Sequence, residues 1–104
     1  MSNKYLEFSN YENSAFEVIN QIKDFIVRRN CPDLAVNISE FNMFDATKIC
    51  ILSSVCHLNK YPEGLIKWYV KDYETYSSIK VLKLNNIKLE IYENDLSRLY
   101  KAVS

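Results

Sequence analysis

Two stretches of this chain carry side chains that could do chemistry, Cys56-His57 and Asp45-Ala46-Thr47-Lys48. A cysteine and a histidine form the nucleophile and base of thiol enzymes when their side chains meet. Neighbouring residues of one helix point about 100° apart, so Cys56 and His57 cannot hydrogen-bond side by side. We expect His57 to face the negative end of its helix dipole instead. The pair therefore predicts no catalytic site, and the protein is interpreted as a non-enzyme.

The three cysteines, Cys31, Cys50 and Cys56, have neither the spacing of a disulfide framework nor a Cys-x-x-Cys metal motif. Cysteine is among the most buried residue types, so we predict core packing for them. Reduced thiols and a start without an apolar signal region indicate a cytoplasmic protein. We predict no metal and no cofactor.

The second stretch follows a predicted strand, in which Leu34, Val36 and Ile38 alternate with small or polar residues. Asp45 is expected to cap a helix from about Ala46 to Leu58. That helix is apolar nearly all round and should be largely buried. The end of a strand beside a helix start exposes backbone donors to a partner or an anion. We predict a partner-binding edge there, formed by Asn42, Phe44, Asp45, Thr47 and Lys48.

The remaining pattern alternates strands with helices over a single domain, residues 1–104. Ser14 and Glu17 have capping-box spacing, which predicts the start of a first helix that Cys31-Pro32 closes. This order predicts an α/β fold with a parallel sheet and right-handed crossovers; an α+β fold with an antiparallel first strand is the alternative. The other predicted elements are strands at Tyr5–Phe8, Leu65–Val70 and Ile87–Ile91, and helices at Tyr73–Leu82 and from Asn94-Asp95 to Val103.

Composition excludes several classes of function. Gly64 is the only glycine, so the chain has neither a P-loop nor a dinucleotide fingerprint. A net charge of zero argues against nucleic acid as a partner, although Lys67, Tyr69 and Lys71 share one face of a predicted strand whose other face carries Trp68. No apolar run has the length of a membrane span.

The element order from about Ser14 to Val103 resembles a STAS domain, the fold of bacterial anti-sigma-factor antagonists. In that family an Asp-Ser-Ser-Gly-Leu type motif opens a helix. Asp45, Thr47 and Ile49 match the aspartate, the second hydroxyl and the apolar position. Ala46 replaces the phosphorylated serine and Lys48 replaces the glycine, so the usual switch is missing unless Thr47 substitutes for it.

The resemblance implies a mostly parallel four-stranded sheet packed with about four helices. It also implies a regulatory domain whose partner is a kinase or a sigma-pathway protein. Thr47 would then be a phosphorylation site in the first helical turn, beside the positive end of the dipole. Capping alone explains the same spacing, with Thr47 as a solvated first-turn residue.

Other interpretations stay open. An inhibitor or immunity-type protein would neutralise a toxin or phage factor by tight 1:1 binding. A small-ligand site or enzyme would need a pocket converging on Cys56 or His57. Tyr73, Tyr76 and Tyr100 lie near helix surfaces by pattern, where tyrosine favours protein interfaces. An exposed edge strand would allow a weak homodimer in place of a monomer.

Overall fold

Residues 4–92 are described by the computed structural model, in which four strands alternate with three helices. The predicted helix from Asn94-Asp95 to Val103, with Tyr100, lies outside the described residues. The elements are β1 (Lys4–Glu7), α1 (Ala15–Arg28), β2 (Asp33–Asn37), α2 (Met43–Lys60), β3 (Leu65–Val70), α3 (Tyr73–Lys80) and β4 (Ile87–Ile91).

The four strands form one sheet in the order β1-β2-β3-β4, and every pair is parallel. Leu6 is opposite Val36, and Val36 is opposite Trp68. The α/β prediction is confirmed, and the alternative of an antiparallel first strand is wrong because β1 pairs parallel to β2. Helix α1 packs against α2, and α2 packs against α3, so the three helices form one layer. Right-handed crossovers between parallel strands in sequential order place such helices on the same face of the sheet.

The core fills the space between this helical layer and the covered face of the sheet. Trp68 is fully buried there, and its indole Nε1 donates to the Ser54 hydroxyl over 2.9 Å. The capping box of α1 is confirmed, because Glu17 N donates to the Ser14 hydroxyl and Ser14 N donates to the Glu17 carboxylate. The predicted apolar spacing of α1 gives its buried face: Val18, Ile19, Ile22 and Ile26.

Helix α2 begins three residues earlier than predicted. Its N-cap is Asn42, whose side-chain oxygen accepts a hydrogen bond from Asp45 N over 2.8 Å. Asp45 is therefore the third helical residue, and its prediction as the cap is wrong. Phe41 is buried and fixes the chain just before Asn42, so the asparagine is the first residue placed to cap.

The prediction that α2 is largely buried is also wrong. The helix packs against α1, α3 and β3, which leaves a side that none of these covers. Leu52, Val55 and Leu58 are all exposed on that side. None of the helices described within residues 4–92 combines the length and the apolar character that crossing a membrane requires.

Candidate protein-docking site

The first turn of α2 projects a large apolar side chain into solvent at the carboxyl end of the sheet. Phe44 is 78% exposed and follows Met43, which is the first residue of the helix. Asn42 is exposed but its amide oxygen serves the helix cap, and Asp45 is half-buried. The predicted edge thus combines one exposed aromatic side chain with residues that build the helix start.

A groove of about 500 Å³ lies between α2 and α3, beside Phe44. It brings together three of the five predicted binding residues, Phe44, Thr47 and Lys48, whereas Asn42 and Asp45 do not line it. The other lining residues are Met43, Ile51, Leu52 and Ser78. Most of these side chains are apolar, so the groove can bury apolar groups of a partner.

Thr47 forms part of the contact between α2 and α3. Its hydroxyl lies 3.0 Å from the Ser78 hydroxyl, which in turn donates to Thr75 O over 2.9 Å. Because the single Ser78 proton is used there, Thr47 is the donor to Ser78. Thr47 is half-buried and is the fifth residue of α2, so its prediction as a solvated first-turn residue is wrong.

The N-terminus of α3 holds Ser78 in place from the other side of the groove. Asp72 caps α3, and its carboxylate accepts hydrogen bonds from both the backbone N and the hydroxyl of Thr75. These hydrogen bonds, the backbone one above all, lower the pKa of Asp72. Tyr73, the next residue, is exposed as predicted, and Tyr76 is half-buried against it. The N-cap of α3 therefore stabilises the helix that contributes Ser78 to the groove.

A second groove, of about 590 Å³, lies on the opposite side of α2, between that helix and α1. Leu52 lines both grooves and therefore lies between them on the exposed side of α2. Sequence reasoning missed this surface. The available signal was that α2 has more apolar residues than one buried helix face can hold. The second groove is lined by Lys23, Ile26, Val27, Leu52, Val55, Cys56, Asn59 and Lys60.

His57 and Cys56 do not combine into a site. The His57 ring is fully buried, with Nε2 2.9 Å from Cys31 O and Nδ1 without a hydrogen-bond partner among residues 4–92. Since a carbonyl only accepts, Nε2 carries the proton of a neutral ring. Burial is the main cause that lowers the His57 pKa. His57 lies in the last turn of α2, but its ring is hydrogen-bonded to Cys31 O, beyond the end of α1, and not to the end of its own helix as predicted.

The cysteines are free thiols, and two of them, Cys31 and Cys50, are buried. Burial raises the pKa of Cys50 to about 12, which keeps this thiol protonated and unreactive. Cys56 is half-buried and lines the α1–α2 groove, which His57 does not line. Within residues 4–92, no three His, Cys, Asp or Glu side chains are grouped to hold a metal ion.

The C-terminal end of α2 fixes the positions of the groove walls. The Lys60 ammonium donates to the Ile26, Val27 and Arg29 carbonyls of the α1 C-terminus over 2.7, 2.9 and 3.1 Å. The Tyr61 hydroxyl donates to Arg29 O and accepts from Cys31 N, both over 2.8 Å. These bonds satisfy carbonyls that a helix end leaves without partners.

Comparisons of the chain with family models, with curated proteins and with solved structures found no match.

Proposed function

We propose that the protein is a non-enzymatic, protein-binding regulatory domain that docks its partner through the N-terminal half of α2. The observation that carries this proposal is the exposed Phe44 at the mouth of an apolar groove. Exposed apolar surface next to a groove is typical of protein-interaction sites. Thr47 and Lys48, which line the same groove, extend the contact surface, while Asn42 and Asp45 lie at its edge.

A STAS-like identity is part of the proposal. It is supported by sequential parallel strands, by helices on one face of the sheet, and by the place of Asp45-Ala46-Thr47 at the start of α2. By this resemblance the partner is a regulatory kinase or a sigma-pathway protein. The free thiols are those of a domain acting in the cytoplasm.

Phosphorylation of Thr47 would regulate docking in this proposal. A phosphate brings about −1.5 to −2 charge and three acceptor oxygens. It would replace the hydroxyl proton that Thr47 donates to Ser78, and so weaken the contact between α2 and α3. Because Thr47 is the fifth helical residue, the effect is expected on the groove more than on the helix dipole.

The second candidate is an inhibitor that neutralises a toxin or phage factor by tight 1:1 binding. It is favoured by the same hydrogen bond, since the Thr47 hydroxyl is already engaged and half-buried in the unmodified protein. Binding would then be independent of modification. The two candidates use one surface and differ in whether a phosphate on Thr47 changes the affinity.

The test is affinity capture of the tagged protein from its native cells, comparing wild type with Phe44→Ser. Phe16→Ser is the matched control, because Phe16 is also the second residue of a helix and is 70% exposed. We expect one partner to be lost with Phe44→Ser and retained with Phe16→Ser. Retention by both variants would refute docking at α2.

The modification state separates the two candidates. Mass spectrometry of the Thr47 peptide measures this state, and the affinity of the partner for Thr47→Glu measures the effect of a negative charge at the same position. Phosphate on Thr47 and a changed affinity support the regulatory domain. An unmodified Thr47 and a stoichiometric complex support the inhibitor.

A further inference from the structure

The exposed side of α2 carries a continuous stripe whose spacing matches one helical face. Phe44, Lys48, Ile51, Leu52 and Val55 follow at i, i+4, i+7, i+8 and i+11. We call these five residues the α2 stripe. It extends over about 16 Å of helix, which is three turns. A groove lies on each side of it, and Leu52 lines both.

We propose that the occupant of the α2 stripe is an amphipathic helix of another protein, with acidic residues flanking its apolar face. This inference rests on the proposed function and names the class of partner. An amphipathic helix places anchors at i, i+3 or i+4, and i+7 into an apolar groove. Three turns of such a helix match the length of the stripe.

The charge of the lining residues favours acidic flanks. The charged side chains lining the two grooves are Lys23, Lys48 and Lys60, and neither lining contains a carboxylate. The Lys60 ammonium donates to the α1 carbonyls, so Lys23 and Lys48 are the lining lysines that carboxylates of a partner would contact. Asp45 lies at the start of α2 outside both linings. Complementary charge across an interface selects the partner and speeds its association.

The same charges argue against a second copy of this chain as the occupant. A two-fold interface pairs a surface patch with itself, so it would bring together two patches whose charged lining residues are all lysines, with no carboxylate in either lining to offset them. A β-strand partner is disfavoured because strand addition requires an open sheet edge, whereas the stripe lies on a helix with internally paired backbone. The apolar stripe likewise lacks the continuous positive charge of a nucleic-acid surface.

The test is a display selection of random peptides, each of about 16 residues, on the full chain. The expected peptides carry apolar residues at helical spacing with Asp or Glu beside them. The best peptide should bind about ten-fold more weakly to Leu52→Ser, the loss that follows removal of a central anchor. Leu82→Ser is the matched control, since Leu82 is 44% exposed against 47% for Leu52 and lines neither groove.

A charge exchange tests the acidic flanks separately. A peptide with Lys at its acidic positions should bind the Lys23→Glu, Lys48→Glu double variant better than it binds wild type. The inference is overturned if the selection yields no binder, or if the selected peptides are extended or basic. It is also overturned if the selected peptides bind Leu52→Ser with the same affinity as wild type. If the peptide selection fails in one of these ways but Phe44→Ser still loses the native partner in affinity capture, the proposed function is retained and only the class of partner is wrong. If Phe44→Ser captures the same partner from native cells as wild type does, the proposed function itself is refuted.

Discussion

The two ends of α2 differ in what their side chains do. At the C-terminal end, Lys60 and Tyr61 bind the carbonyls that end α1, and His57 is buried against Cys31 O. At the N-terminal end, Phe44 and Lys48 are exposed beside an apolar groove. One end of the helix joins the elements of the fold, and the other presents side chains that a partner can contact.

This division follows from the geometry of parallel sheets. The C-termini of α1 and α2 lie at the amino end of the strands. The unpaired carbonyls at the end of α1 require donors there, and Lys60 supplies them. The helix N-termini lie at the carboxyl end, where α/β proteins bind their ligands. Substitutions at the first end should therefore reduce stability, and substitutions at the second should reduce binding.

The largest loss of stability is expected for Gly64→Ala. A Cβ at this position would lie 2.5 Å from Pro32 O, 2.8 Å from Tyr61 Cβ and 2.9 Å from His57 Cε1, which forces the C-terminal end of α2 away from β2. We expect a loss of about 2–3 kcal/mol in the free energy of unfolding, measured by urea denaturation. Glu63→Ala, its exposed neighbour, is the control. Equal stability of the two variants would show that this end is loosely packed.

Lys60→Met should cost less, about 1 kcal/mol in the same measurement. Methionine keeps the apolar stem of the side chain but removes the donor to the Ile26 and Val27 carbonyls, while Arg29 O keeps its hydrogen bond from the Tyr61 hydroxyl. Lys48→Met, at the other end of the helix, should change stability by less than about 0.5 kcal/mol. If the two lysine variants were equally stable, the hydrogen bonds at the end of α1 would not be structural.

The pH dependence of stability should depend on His57. Burial lowers its pKa in the folded state below the ordinary 6.5, so the unfolded chain binds the extra proton first as the pH falls. This contribution to stability is fully present above pH 6.5, and it is lost progressively as the pH falls from 6.5 to the pKa of His57 in the folded state. Tm should fall between pH 7.5 and 5, and His57→Gln should flatten that slope. If Tm depends on pH in His57→Gln as it does in wild type, groups other than His57 cause the pH dependence.

The smallest change in stability is expected for Phe44→Ser. The side chain is mostly exposed, so the free energy of unfolding should change by less than about 0.5 kcal/mol, as for Phe16→Ser. Thermal unfolding of both variants measures this change. A loss several times larger with Phe44→Ser alone would make Phe44 a structural residue.

Local signals predicted most of the fold. The Ser14–Glu17 capping box and the strand alternation around Trp68 depend on near neighbours in sequence, and both are confirmed. Sequence could not rank Asn42 against Asp45 as the cap of α2, because both residue types cap helices. The choice depends on buried Phe41, which fixes where the loop from β2 ends.

The surface of α2 was harder to predict for a similar reason. Apolar composition shows that Leu52 and Val55 prefer burial, but not which side of a helix its neighbours leave uncovered. The placement of the His57 ring depends on Gly64 and on Cys31 O, which lie in separate connections of the chain. Such long-range contacts have no pattern in the local sequence. Phe44, Thr47 and Lys48, which line the first groove, were predicted because they follow a predicted strand, whereas the other lining residues of the two grooves were not predicted.

The most direct test of docking at α2 is the affinity of the purified, captured partner for three proteins, measured by isothermal titration calorimetry. These are wild type, Phe44→Ser and Phe16→Ser. We predict that Phe44→Ser weakens Kd about ten-fold or more, while Phe16→Ser leaves it within about two-fold. Equal affinity of the partner for all three folded proteins would contradict docking through the N-terminal half of α2.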